Sequence, residues 1–542
     1  VKNDVKDTIP ANQQGEYLGT YRTYSYEIYA DGYKTAMGNH TVAEGDGIVD
    51  INIEMSAVTD PKWDGTSMLR PKQVTALESD EDGGEFENME GYYKITNGYE
   101  LRWVAYQTEV GKGTLSAVLT DDIDLNDKLW APIGTNPNND ATCNYSGVFE
   151  GNNKTVKGLY INGSAAYQAL FGYVKNATVR NLTTEGVVEK GSAAMFASLN
   201  GTFIIDNCHN KANVTGGQTL GGLIGGTALG TVGSSVKNSS NTGNINAGNN
   251  MYAGGFAGQI FSGTIENCWN TGSVTTTRGY SGGFSGSSRA TIINCYNTGA
   301  VSANGTNVGG LIGYAEGECS IQNSYNTGAI TNANAAGSGA IKGVGTGATI
   351  VNSYAPDNLG ATVYAEGATL KPAETFTSGE VAWLLGNAFK QEIGNENIPA
   401  LIGKSVYKVT YTNNLDAETA TIYTNETLPT IAKSGYTSKW LTAANGNDIS
   451  TVSADASLYV HFLDDATSIE ENEDSFSVYP NPFIDYIIVN SQVIDRAYLY
   501  DATGKQVVAF DLNVGENRIN VSSLHEGTYI LKTTTSSKKL IK

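Results

Sequence analysis

Histidine is scarce in this chain, four in 542 residues, and none of His40, His209, His461 and His525 sits in an HExxH pattern, so a zincin-type protease centre is excluded. No GxSxG elbow occurs, and no Cys–His pair is supported by its context, which removes two common hydrolase signatures. The five cysteines match no zinc spacing and cannot all pair, and no cofactor or metal is expected. No run of about 18 apolar residues exists, so no transmembrane segment is expected. Basic residues are few as well: 34 Lys and Arg stand against 55 acids for a net charge of -21. Nucleic acid is therefore not an expected partner, because phosphate binding needs a basic footprint that no stretch supplies.

What is abundant is repetition. An eight-residue phrase reads NCHNKANV from Asn207, NSSNTGNI from Asn238, NCWNTGSV from Asn267, NCYNTGAV from Asn294 and NSYNTGAI from Asn323, with a degraded copy, NSYAPDNL, from Asn352. Starts lie 31, 29, 27, 29 and 29 residues apart. A glycine signature runs out of phase with it: GGLIG at Gly221, GGFAG at Gly254, GGFSG at Gly282, GGLIG at Gly309 and GAIKG at Gly339. A fixed period of this length means a stacked array. It is long enough for three short strands and their corners, each strand pairing with its equivalent in the next rung, so a right-handed parallel β-helix of 27–31 residues per rung is expected. Ile265, Ile292 and Ile321, with Val274, Val301 and Ile330, should stack inside. Asn267, Asn294 and Asn323 should form ladders at the turns, and glycine should occupy corners of positive φ. Cys208, Cys268 and Cys295 share one slot with Ser239, Ser324 and Ser353, which reads as small inward side chains carrying free thiols.

The flanks divide by composition. Residues 1–58 alternate apolar and polar positions between turn signals, as in a small β-sandwich, and 59–90, with ESDEDGGEFE, reads as an acidic solvated linker. Residues 91–403 hold the β-helix and its caps: LRWVAY opens as a capping helix, and SGEVAWLLGNAFKQEIG closes it with a Ser-capped helix that presents Val381, Leu384 and Leu385 on one face. Residues 404–464 form a β-rich, β-grasp-like module, 465–474 a linker and 475–542 a terminal sandwich, giving an all-β chain overall. It begins at Val1 without Met or a signal peptide, which reads as a processed form or a fragment.

Four segments resemble known families. YEIYADGYKTAMGNHTVAEGDGIVDINIEM is similar to the end of a carboxypeptidase-regulatory-like domain. Repeated GG(L/F)xG and NxxNTGxV, after YSGVFEGNNKTVKGLYI, resemble the GLUG-repeat region of bacterial surface adhesins and of proteins with immunoglobulin-A protease modules; Gly151–Val156 reads GNNKTV where the family often has GNGHTI. YKVTY, SGYTSKWLTA and LYVHF resemble a Listeria-Bacteroides repeat, with Lys439 before Trp440 where that pattern has Gly. SFSVYPNPFIDYIIV, AYLYDATGKQVV, LHEGTYILK and KKLIK resemble, in order, the C-terminal sorting domain of type IX secretion substrates. That last resemblance implies engagement of the type IX machinery, export in a bacterium of the Bacteroidota, removal of the domain and retention at the outer-membrane surface.

Function candidates follow from the array. Trp269, Tyr296 and Tyr325 share the aromatic slot, either as an exposed strip for sugars or as a packed ladder, packing being favoured; with Tyr280 they are the candidate ligand-binding residues. No catalytic residue is assigned. Asp121, Asp122 and Asp124 read as structural, Asp206 and Glu266 as a solvated face, and Asp80, Asp82 and Glu85 only faintly suggest a calcium loop. The leading expectation is a secreted, surface-anchored, non-enzymatic adhesin or stalk that binds glycans or proteins through its repeats. The alternatives are a β-helix polysaccharide lyase or hydrolase, or a structural spacer of a larger surface protein.

Overall fold

The computed structural model describes residues 22–42, 54–79, 84–135, 141–406, 436–441, 459–464 and 476–542, with breaks inside 141–406 at 164, 217–218, 228–232, 250, 335–336, 345, 361–362, 393–395 and 403–405. The chain forms two compact units, Val1–Val406 and Tyr407–Lys542.

The first unit is a parallel β-solenoid. One rung runs through Thr264–Glu266, Trp269–Asn270 and Val274–Thr276 in a long sheet, then Tyr280–Gly282 and Ser285–Ser288 in two further six-stranded sheets. Each strand pairs in register with its equivalent in the next rung, so identical positions superpose: Val236, Ile265, Ile292 and Ile321 form one buried column, and Ile245, Val274, Val301 and Ile330 another. Each such side chain contributes about 1.5–3 kcal/mol on leaving water. All five cysteines are buried, with Cys208, Cys268 and Cys295 in the small-residue slot.

Two asparagine ladders hold the turns. Asn207, Asn238, Asn267, Asn294, Asn323 and Asn352 all take left-handed φ between 46° and 55°. Asparagine tolerates that region because its short polar side chain bonds locally. Here the amide bonds run from rung to rung, as from Asn294 Nδ2 to Asn267 Oδ1 at 3.0 Å. Three residues further on, Asn210, Asn241, Asn270, Asn297 and Asn326 form a second, fully buried ladder at 2.7–2.8 Å per step. The glycine signature is the partner of this inner ladder. A Cβ on Gly255, Gly283 or Gly310 would stand 2.2, 2.1 or 2.3 Å from the Nδ2 of Asn270, Asn297 or Asn326. The two phrases that alternate in sequence therefore touch in space.

Helix Gly98–Glu109 closes the N-terminal end. Asn97 caps it by accepting from Glu100 N, Glu100 reaches back to Thr96 N, and Leu101, Trp103 and Val104 are buried. The stretch expected to be a solvated linker is in part packed here: Trp63 and Val74 are 1% and 2% exposed, and Lys94 N bonds to Lys72 O. Apolar Trp63 outweighs the acidic composition around it. It meets Trp130 edge-on at 5.5 Å. Of the faint calcium loop, Asp80 and Asp82 lie outside the described residues, while Glu85 accepts from Asn152. Hairpin Arg22–Ala30 with Tyr33–Val42 joins the same end.

At the other end the short helices Glu374–Thr377 and Glu380–Leu385 pack Phe376, Val381 and Leu385 onto the solenoid. The expected Ser cap is not formed. Gly379, at φ 87°, precedes Glu380, and Ser378 Oγ bonds Thr375 O at the end of the preceding helix.

In the second unit, strands Tyr436–Leu441 and Tyr459–Asp464 pair antiparallel, and the rest of the expected 404–464 module lies outside the described residues apart from Val406. Residues 476–542 fold as a sandwich of a three- and a four-stranded antiparallel sheet around Phe476, Phe483, Ile487, Leu499 and Leu531. Lys542 Nζ bonds the carbonyls of Val521 and Ser522 at 2.9 Å, tying down the last residue.

Candidate functional site

Parallel in-register stacking turns any repeated aromatic into a column; besides the buried stacks Phe171–Phe196 and Phe256–Phe284, two columns reach the surface among the described residues. The first follows the NxxNTGxV phrase. Trp269 and Tyr296 lie 6.0 Å apart with planes 7° from parallel, and Tyr296 and Tyr325 lie 4.9 Å apart at 3°. His209 begins the column beside Trp269, with its ring nitrogens bonded to Ser240 and Asn207 and burial pushing its pKa down. The C-terminal cap covers the far half. Tyr325 is fully buried against Phe376 and Phe389, its hydroxyl donates to the Pro399 carbonyl, and Tyr296 is 8% exposed. Burial raises the pKa of both phenols. Tyr296 and Tyr325 are thus packing residues, which corrects their place among the ligand contacts. Trp269 is half-buried.

Tyr280 belongs to the second column, on the glycine-signature faces. It pairs in register with Tyr252, ring centroids 5.5 Å apart, and stacks on Tyr314 from the neighbouring sheet at 4.8 Å and 18°. All three rings are half-buried, and among the described residues none belongs to the cluster under the C-terminal cap. Sequence reasoning missed Tyr252 and Tyr314, although a signal existed: Tyr252 and Tyr280 each stand two residues before a GG pair, and Tyr314 directly follows GGLIG.

An ion pair borders this strip. Glu316 accepts from Ser287 Oγ at 2.7 Å and pairs with Arg289 at 2.6 Å, and the guanidinium lies 5.8 Å from the Phe261 ring. Desolvation first, and then the Glu316 charge, raise the Tyr252 pKa. The assembly offers ring edges, phenol hydroxyls and a fixed carboxylate–guanidinium pair, which suits reversible contact with a ligand carrying both hydroxyls and apolar faces.

The acids weighed for chemistry serve the backbone or ion pairs. Asp122 accepts from Thr155 N at 2.8 Å, Asp124 from Asn126 N at 2.8 Å, and Glu266 pairs with Lys237 at 2.8 Å. Among the described residues no group of three or more His, Cys, Asp or Glu side chains is placed to hold a metal ion, and no helix is long and apolar enough to cross a membrane.

Residues 477–542 match the family described as the secretion system C-terminal sorting domain, and residues 249–275 and 304–331 match the GLUG motif. The terminal sandwich is the sorting domain of type IX secretion; the chain engages that machinery, is exported and is attached at the cell surface. A solved structure from Bacteroides ovatus, described as a candidate immunoglobulin A1 protease, is similar at 22% identity and a TM-score of 0.40, over 59% of this chain and 96% of that one. No curated protein matches the chain.

Proposed function

We propose that this protein is a non-enzymatic binding protein of the cell surface, in which the solenoid is a rigid stalk and the strip Tyr252–Tyr280–Tyr314, flanked by Arg289 and Glu316, is its adhesive face for glycans or for glycan-bearing proteins. The strip carries the reading: three half-exposed tyrosines stack on one flank, in a scaffold whose other surface-reaching aromatic column is half covered by a cap. Contact there is shallow and individually weak. Attachment of many copies to one cell raises the effective concentration of sites, so avidity supplies the strength that one strip lacks. The acids nearby are tied into ion pairs and backbone turns, which favours binding over hydrolysis.

The test is an array of glycans and matrix proteins probed with the full chain and with Tyr280→Ala and Tyr314→Ala. Reproducible hits that both substitutions weaken support the reading. Hits indifferent to both move the adhesive face elsewhere, and silence from the folded chain favours a spacer.

A further inference from the structure

The N-terminal end of the solenoid holds a second feature, remote from the tyrosine strip in sequence and built from different elements. Hairpin Arg22–Ala30 with Tyr33–Val42 is bonded to the following segment by Lys34 N to Ser56 O and Thr35 N to Met68 O, and to the capping helix by Trp103 Nε1 to Glu27 Oε1 at 2.6 Å. Between these parts lie two half-open clefts of about 370 and 360 Å³, and Arg70 lines both. Its guanidinium sits 4.0 Å from the ring centroid of Tyr29 and 5.9 Å from that of Trp103. The neighbouring charges are accounted for. Lys72 pairs with Asp31 at 3.0 Å and Lys94 with Glu78 at 2.7 Å, the Glu27 oxygens accept from Trp103 and Gln107, and Glu100, in the first lobe, accepts from Thr96 N and Oγ1 at 2.6 and 2.8 Å. Among the described residues nothing forms a hydrogen bond or ion pair with the Arg70 guanidinium. An arginine seated over an aromatic ring, with its donors unpaired among the described residues at the junction of two cavities, is prepared for a planar anion.

We propose that this double cleft binds a carboxylated sugar, its carboxylate on Arg70 and its pyranose ring on the floor formed by Tyr93 and Trp103, whose rings lie 4.8 Å apart. The rest of the lining fits that class. Gln73 and Ser116 in one lobe and Thr96 and Thr120 in the other line the walls with amide and hydroxyl oxygens that can meet ring hydroxyls. Each lobe lies near the lower end of the usual range for ligand pockets and has room for about one sugar ring. The net charge of -21 repels polyanions at long range, so recognition rests on one local carboxylate rather than on charge density. Lys112, exposed at the rim of the second lobe, adds a weaker cationic contact. This site is independent of the adhesive strip.

Calorimetric titration of the full chain with trigalacturonate, its fully methyl-esterified form, sialyllactose, lactose and a hexaglutamate peptide tests it. Trigalacturonate or sialyllactose should bind, whereas the methyl ester and lactose should not; the preferred acid distinguishes a uronate from a nonulosonate. Arg70→Gln should weaken binding about tenfold or more, since it removes the half-buried charge partner of the carboxylate. Lys112→Gln should weaken it about twofold to threefold, as a rim charge does. Tyr280→Ala should leave it unchanged and report separately on the adhesive strip. Thermal unfolding checks that Arg70→Gln still folds; if it does not, Lys112→Gln and the ester comparison decide. Equal binding of acid and ester, an unaffected folded Arg70→Gln protein, binding of the peptide alone, or no binding at about 1 mM ligand overturns the proposal.

Discussion

Replacing Asn270 by alanine removes three buried hydrogen bonds from the inner ladder: the one it accepts from Asn241 Nδ2 at 2.7 Å, and those it donates to Gly272 O at 2.7 Å and Asn297 Oδ1 at 2.8 Å. Asn241 keeps its bond to Gly243 O, and Asn297 keeps that from Gly299 N, so the full penalty falls on one Asn241 N–H and on the Gly272 carbonyl. An orphaned buried polar group costs about 1–3 kcal/mol, which sums to about 4 kcal/mol for the pair. The loss is local, because each rung touches only its neighbours. Amide hydrogen exchange read by mass spectrometry resolves it from the other module. Protection of amides in 264–303 should fall by about a thousandfold, at 1.4 kcal/mol per factor of ten. The control is Asn267→Gly. Asn267 is the outer-ladder residue at φ 55°, where glycine is unstrained, so its effect should stay below about tenfold. If the two substitutions change protection equally, or Asn270→Ala changes it less than about tenfold, the inner ladder is not what holds the rungs in register.

Gly283→Ala should be as damaging as Asn270→Ala, because its Cβ would meet Asn297 Nδ2 at 2.1 Å and Gly310 O at 2.3 Å; the same exchange experiment reads it. Burial raises the thiol pKa of Cys208, Cys268 and Cys319, the last to about 12, so iodoacetamide at pH 8 should label these cysteines only after denaturation. The unfolded thiols ionise near pH 8.5 and the folded ones do not. Their contribution to stability is therefore constant below that pH and falls as pH rises toward the folded values, a trend that denaturant titrations at pH 7 and pH 10 should register. Removal of residues 475–542 should abolish export and surface attachment in the native bacterium, scored by cell fractionation; unchanged export would refute the assignment of sorting to this domain.

The rungs were legible because in-register stacking repeats one environment every 27–31 residues, so each inward position appears in sequence as a column of like side chains. Ile265, Ile292 and Ile321 are read that way without ambiguity. The caps were only half legible. Their helices have local signals, but the surface they cover depends on contacts between distant segments, such as Tyr325 with Pro399, 74 residues apart. That contact, with Phe389 packed against Tyr296, is what removes both tyrosines from the candidate site. Trp63 was hidden differently, since one apolar residue among acids and turn formers leaves no periodicity to read.

The tyrosine strip was hidden for a third reason, which bears on how such a surface arises. Gly255 and Gly283 are fixed by the buried asparagines they lie against, at approaches that leave no room for a Cβ. Tyr252, Tyr280 and Tyr314 stand two residues before or five after the start of a GG pair, at positions no ladder constrains, and their equivalents in other rungs are Thr219, Asn307, Gln259 and Ser287. The scaffold thus separates positions where substitution costs the fold from outward positions where it costs little. Exchanging Tyr280 for Asn, the residue of the next rung, should therefore leave exchange protection in 264–303 unchanged while weakening any ligand of the strip. A loss of protection on that exchange would mean that the tyrosine column supports the solenoid, and the adhesive reading would lose its basis.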